Sequence, residues 1–212
     1  MRAFNWIICG KVNWKTNVKY FVTMALLDII KKNRSYRRFY EEAAISEEDL
    51  KLMVEAARYS ASSRNIQPLK YYICNSLEMN EKIFPTLAWA GYLTEWDGPV
   101  EGERPSAYII QLLDKNISAT ASCDHGITAQ SMLLQAVELG FGGCIIASVK
   151  RETLSKILGL PENLEILQVL ALGKPKEVVV VDDLVENGYK YWREEDGTHH
   201  VPKRTLDELI VK

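Results

Sequence analysis

Residues 32–39 read KNRSYRRF, four cations in eight positions with a serine among them and two aromatics. Guanidinium groups match phosphate oxygens two at a time, so this stretch is a candidate grip on an anion. A solvated surface run is the competing reading. Farther along, SASSRNIQP (60–68) carries Ser62, Ser63, Asn65 and Gln67, whose hydroxyls and amides can bond the edge of a polar heterocycle. VPKR (201–204) sets Lys203 and Arg204 side by side near the C-terminus. Each has a plain explanation alone, the first as a helix terminus and the last as a surface pair. Together they suggest a phosphorylated, ring-bearing cofactor that spacing does not name.

Other chemistries find little support. Of the three histidines, His125, His199 and His200, none sits beside a G-x-S-x-G elbow or a cysteine box. Adjacent residues on a strand point apart, so His199-His200 reads as a strand or hairpin surface rather than a metal site. Glu194, Glu195 and Asp196 read as a solvated turn, and no paired catalytic carboxylates are identifiable. The four cysteines, Cys9, Cys74, Cys123 and Cys144, form no C-x-x-C pair. That argues against zinc and a disulfide framework and fits a reducing cytosol. GFGGC precedes a strand, the wrong context for a dinucleotide loop. Twenty-six basic against 28 acidic side chains leave a formal charge of −2. No global field then favours nucleic acid or an anionic membrane, and any anion site must be local. No apolar run approaches the ~20 residues of a membrane helix.

The 212 residues suffice for one domain with a substantial core. Residues 1–23 hold one short apolar patch, Trp6 to Cys9, and lack the h-region of an export signal. They read as a mis-assigned start or an accessory arm, with the domain at 24–212. ALLDIIKK (25–32) predicts a helix with cations at its dipole-favoured end. Ser46 reads as an N-cap with Asp49 three residues on, and Leu50, Met53, Val54 and Ala57 give a helical stripe to about Tyr59. SASSRNIQP is a loop and YYIC (71–74) a short strand. EMNEKIFPTLAWAGYL holds one or two short helices broken by Pro85. EWDGPVEGERPS (95–106) is a candidate mobile loop and AYIIQLL (107–113) a buried strand. Residues 124–139 make the longest helix, ended by Gly140. GGCIIAS (142–148) and EILQVLALG (165–173) are strands around the helix RETLSKILGL. VVVVD (178–182) extends a sheet or runs along an edge, and Asp196-Gly197 signals a hairpin. The irregular alternation predicts an α+β class: one central mixed sheet packed by helices.

RSYRRF (34–39), SASSRNIQP (60–68), ELGFGGCIIAS (138–148), LALGKP (170–175) and VPKR (201–204), in that order, resemble the FMN-dependent nitroreductase family in its compact branch. The resemblance implies a largely antiparallel sheet and a homodimer with FMN at the interface, each site built from both subunits. It places Arg34, Ser35 and Arg37 around the FMN phosphate and ribityl chain. Ala61, Ser62, Ser63 and Asn65 would come from the partner subunit, with Gln67 assisting. Ile145, Ile146 and Ala147 would lie beside the flavin ring, and Lys203 and Arg204 would close over the phosphate. Two positions depart from the family: Asn33 where many members carry Arg, and Ala61 where Pro is frequent.

By the same resemblance, FMN takes hydride from NAD(P)H and reduces a nitroaromatic, quinone or similar small electron-poor acceptor in a ping-pong cycle. No side-chain acid or base is required. Trp89, Tyr92 and Trp96, around the loop at 95–106, would face the substrate, with core or interface packing as the alternative. Relatives that dehalogenate iodotyrosine, fragment flavin or oxidise azolines leave another redox reaction open. A non-catalytic flavin carrier and a cofactor-free interaction domain stand as further readings. The implied setting is cytoplasmic, with no nucleic acid or membrane partner.

Overall fold

Asp28 near its start and Lys31 and Lys32 at its end suit the dipole of helix α1, Leu26–Lys32. A computed structural model describes residues 25–184 and 188–211; the leader at 1–23 lies outside the described residues. Strand β1, Phe39–Tyr40, leads to helix α2, Glu47–Arg58, which Ser46 caps by accepting the Asp49 N–H as the sequence predicts. Strand β2 (Leu69–Cys74) and helix α3 (Leu77–Ile83) follow, and Pro85 ends the helical run in a single 3-10 turn. Strand β3 is Ala107–Asp114, helix α4 is Asp124–Glu138 and strand β4 is Gly142–Ile146. Helix α5 (Arg151–Leu158) ends at Gly159 in the left-handed conformation, and strand β5 is Leu164–Pro175. Strands β6 (Val179–Asp183), β7 (Trp192–Arg193) and β8 (His199–Lys203) precede the short helix α6, Leu206–Leu209.

Strand β5 organises the sheet. It pairs with β3 along one edge and with β4 and β1 along the other, and β2 completes the far side of β3. Every one of these pairings is antiparallel, so the central sheet is not mixed as expected. The parallel ladder joins β6 to β8 in a separate three-stranded sheet with β7. The VVVVD strand therefore belongs to this second sheet rather than to the first.

Alternation along β3 and β5 divides the core into two layers. Ile109, Leu170 and Leu172 meet Leu50 and Met53 of α2 and Met132 and Leu133 of α4. Tyr108, Ile110 and Val169 face the other way, toward Ile83 of α3 and Leu154 of α5. With both faces covered, β3 reads as an apolar run interrupted by the buried Gln111 and ended by Asp114. The segment at 95–106, expected to be mobile, is tied down at its C-terminal half. Phe39 donates its N–H to the Glu103 carbonyl at 3.0 Å, and the Glu103 side chain pairs with Arg38 and Lys176.

Gly143 pairs with Leu172 in the ladder of β4 and β5. A Cβ there would collide with the Ala171 carbonyl oxygen, a backbone atom that cannot swing aside. Gly143→Ala should lower stability by about 1–3 kcal/mol through overpacking. Gly126 in α4 has nothing within 4 Å of its Cβ position. Gly126→Ala should hold or raise stability, by up to ~1 kcal/mol from helix propensity. Urea unfolding of the two variants side by side checks both signs.

Candidate functional site

Beyond α1 the chain runs alongside β4. Ser35 bridges Gly143, and the Tyr36 N–H donates to the Gly143 carbonyl at 3.1 Å. The side-chain-free pair Gly142–Gly143 permits this approach: a Cβ on Gly142 would meet the Tyr36 ring at 2.7 Å. Asn33 is buried at the end of α1. Arg34 folds back to donate to the Ile30 carbonyl at 3.0 Å, and its buried Nε has no partner. Arg38 makes two hydrogen bonds to Glu103, at 2.5 and 2.8 Å, so its charge is spent inside the fold. That pair, with Lys176, holds the Glu103 carboxyl down at about 2 against desolvation.

Arg37 joins the arginine stretch to the second sheet. Its N–H donates to Glu177 at 2.9 Å. Its guanidinium donates to the Ser35 carbonyl at 3.1 Å and lies 5.0 Å from the centre of the Tyr191 ring. Nη1 also stands 3.4 Å from Nε2 of His199. The Glu177 carboxylate is wholly buried and receives Arg193 on its other oxygen. His199, expected at a surface, is also fully buried. Burial first, then the charges of Arg37, Arg193 and His200, pulls its pKa down to about 4. A neutral ring that accepts from Arg37 at Nε2 carries its proton on Nδ1, which is buried without a partner. His200 points the other way, 2.9 Å from Asp182 and stacked on Trp192 at 4.9 Å. Among the described residues no cluster of His, Cys, Asp and Glu could hold a metal ion.

The serine loop is built around Asp124, only 2% exposed at the start of α4. Ser62 donates its hydroxyl to this carboxylate at 2.5 Å, and the Ser63 N–H donates at 2.9 Å. The Ser62 oxygen also accepts the Gln67 N–H at 2.9 Å. The backbone takes positive φ at Arg64 (51°), Asn65 (56°) and Gln67 (54°), and Gln67 folds its amide onto Asn65. Beneath the loop a chain of buried amides and hydroxyls crosses the sheet. Gln168 donates to Gln111, Gln111 to Thr128, and Thr128 to the Asp124 carbonyl. A cavity of about 290 Å³ opens between Ala61, Ser62, Gln67 and Tyr71.

On β4 and beyond, Ile145 is 42% exposed and Ala147 is exposed, while Ile146 turns into the core. Lys203 ends β8, four residues or ~13 Å of strand from His199. Arg204 lies 3.4 Å from Glu208. Among the described residues neither cation shares a hydrogen-bond partner or ring contact with Arg37. Trp89 packs against Phe84 at 5.7 Å beneath Gly98, as a core aromatic. Tyr92 instead meets Tyr191 at 5.0 Å, and Trp96 lies under Arg193 at 4.3 Å. Both therefore border the Arg37 cluster. The arginine stretch lies near the C-terminal end of α4 and the serine loop at its N-terminal end. Fifteen helical residues hold those ends about 22 Å apart. Sequence reasoning missed Asp124, Glu177, Tyr191 and Arg193, since no local spacing marks them.

The profile of the nitroreductase family matches residues 30–97 and 102–174. A candidate NADH dehydrogenase/NAD(P)H nitroreductase of Archaeoglobus fulgidus is 28% identical over 159 residues, spanning 71% of this chain and 86% of that protein. An NADPH-flavin oxidoreductase of Vibrio harveyi is 23% identical over 168 residues, 71% of this chain and 66% of that one. Among solved structures, a candidate NADH dehydrogenase/NAD(P)H nitroreductase from Bacteroides thetaiotaomicron superposes with a TM-score of 0.63 at 23% identity, covering 90% of this chain and 97% of the other.

Two outcomes follow from this geometry. His199 has a folded pKa near 4 against 6.5 for a free ring, so the unfolded chain binds the extra proton between those values. Stability should be fully present above pH 6.5 and fall by about 2–3 kcal/mol toward pH 4. Denaturant titrations across that window should show the slope in the parent and a flatter one in His199→Gln. The Glu103 contribution fades separately, between pH 4.5 and about 2. Asp124→Ala should cost about 1.5–3 kcal/mol by stranding Ser62 and the Ser63 N–H. Faster amide exchange at residues 62–67 than elsewhere would report that release.

Proposed function

The chain belongs to the nitroreductase family, and from that premise we propose that it is an FMN-dependent NAD(P)H oxidoreductase working as a homodimer. One observation carries the reading: Arg34 and Arg37 lie along the glycine pair that opens β4, with the buried Arg34 Nε–H unpartnered. The residues present fit a phosphorylated flavin. Guanidinium N–H groups suit its phosphate, and the glycine pair seats the arginine stretch close against β4. When bound, FMN supplies two-electron chemistry, taking hydride from NAD(P)H and giving it to a nitroaromatic, quinone or similar acceptor in ping-pong fashion.

The chain's own groups then have distinct tasks. Arg34, Ser35 and Arg37 hold the phosphate end, and neutral His199 leaves the Arg37 charge uncompensated on that side. Exposed Ile145 and Ala147 offer apolar surface and backbone to the ring. The serine loop serves the partner's site: Ala61, Ser63, Asn65 and Gln67 face outward, while Ser62 anchors the loop through Asp124. Lys203 and Arg204 serve the phosphate from the C-terminal end. Exposed Leu26, Leu27 and Ile30 of α1, with Leu206, Leu209 and Ile210, supply apolar surface for a second copy. Free Cys74, Cys123 and Cys144 suit a reducing, cytoplasmic setting.

The test is an FMN titration of the purified full chain with its mass in solution. One flavin per 24.1 kDa protomer and a mass of two protomers are expected. NADH or NADPH oxidation coupled to a nitro compound without oxygen should follow. Arg37→Ala should weaken FMN retention by about 1.5–3 kcal/mol. A folded monomer that stays colourless in excess FMN would overturn the reading, and flavin retention without any NAD(P)H oxidation would make the protein a carrier.

A further inference from the structure

On the sheet face that carries α3 and α5, a cavity of about 170 Å³ opens between the segment preceding β3 and the start of α3. Its polar lining includes Glu41, Asn80, Glu81, Arg104, Ser106 and Tyr108, with the Phe84 ring among the apolar walls. None of these belongs to the arginine stretch or the serine loop.

The cavity collects unmet donors. Tyr108 has no exposed surface and Ser106 is 8% exposed, yet neither hydroxyl has a hydrogen-bond partner. Nε of Arg104 is buried and unpartnered as well. Each such group bears a desolvation penalty unless something in the cavity meets it. The neighbouring amides are already engaged, Asn80 donating to the Ser106 carbonyl at 2.8 Å and Asn75 to the Ile45 carbonyl at 3.0 Å. The Arg104 guanidinium is held 4.5 Å over the Phe84 ring. Burial pushes the Tyr108 phenol upward, so it keeps its proton and remains a donor.

Two hydroxyls and a guanidinium N–H around one small space call for an acceptor with several lone pairs, which a carboxylate provides. Charge of the opposite sign also borders the cavity. Glu41 uses one oxygen to accept the Gly102 and Arg104 N–H groups, at 2.5 and 3.3 Å. Its other oxygen and the exposed Glu81 remain for a cation. A volume of 170 Å³ holds only a handful of waters at ~30 Å³ each, so the ligand is small. We propose that this cavity binds a small zwitterion of the amino-acid class, its carboxylate on Tyr108, Ser106 and Arg104 and its ammonium toward Glu41 and Glu81.

Calorimetric titration of the purified full chain with glycine, β-alanine, propionate and methylamine tests the assignment. Saturable binding of glycine or β-alanine at one per protomer is expected, at least tenfold weaker for propionate and absent for methylamine. Tyr108→Phe keeps the ring in the core and removes only the oxygen; it should weaken the zwitterion at least tenfold and leave FMN retention unchanged. Ser106→Ala serves the same purpose should Tyr108→Phe not fold. Absence of saturable binding by any probe, propionate binding as tightly as the zwitterions, or unchanged affinity in the folded variant would overturn the proposal.

Discussion

A carboxylate with no access to water must find its charge balance inside the protein, and Glu177 finds it from two directions. One oxygen accepts the backbone N–H of Arg37 and the other accepts Arg193. The first contact belongs to the arginine stretch beside β4 and the second to the small sheet of β6, β7 and β8. Glu177 itself sits just past β5, the strand that organises the central sheet. Removing the Arg193 guanidinium would leave the buried charge unpaired, a loss on the order of 3–5 kcal/mol. The two sheets are thus joined in part through this buried carboxylate.

The same junction explains the state of His199. Two guanidiniums approach a ring that has lost its water, so a third positive charge there is disfavoured and the ring stays neutral. Tyr191, 5.2 Å from that ring and 5.0 Å from the Arg37 guanidinium, covers the cluster from the loop before β7. Tyr92 and Trp96 extend the aromatic cover from the segment after α3. The second sheet is thereby fixed against the arginine stretch.

Much of the scaffold was legible because it is written locally. Ser46 with Asp49, the stripe from Leu50 to Ala57, and the apolar run of β3 each fold as their own patterns require. The arginine and serine motifs were legible for the same reason, as short strings of distinctive chemistry. What could not be read were pairings across the chain. Ser62 and Asp124 are 62 positions apart, Arg38 and Glu103 are 65, and Arg37 and Glu177 are 140. No periodicity encodes such partners. The VVVV run declared a strand without naming its neighbour, and its parallel partner β8 lies beyond an intervening hairpin. His199 misled because HHVPK contains no apolar alternation to signal an inward face, while the burial comes from Tyr191 and Arg37 of other segments.

The length of α4 constrains what these motifs can do together. Fifteen residues at 1.5 Å each separate its ends by about 22 Å. The arginine stretch is pinned near one end by Gly143, and the serine loop is pinned at the other by Asp124. Neither anchor is a flexible tether: one is a backbone bridge and the other a buried carboxylate with two donors. A phosphate a few ångströms across cannot touch both ends of that helix in one protomer. If both motifs serve the same cofactor within one protomer, they must hold opposite ends of it, the phosphate at one and the ring at the other. The apolar residues Leu26, Leu27 and Ile30 of α1, near the arginine end, remain exposed in the single chain.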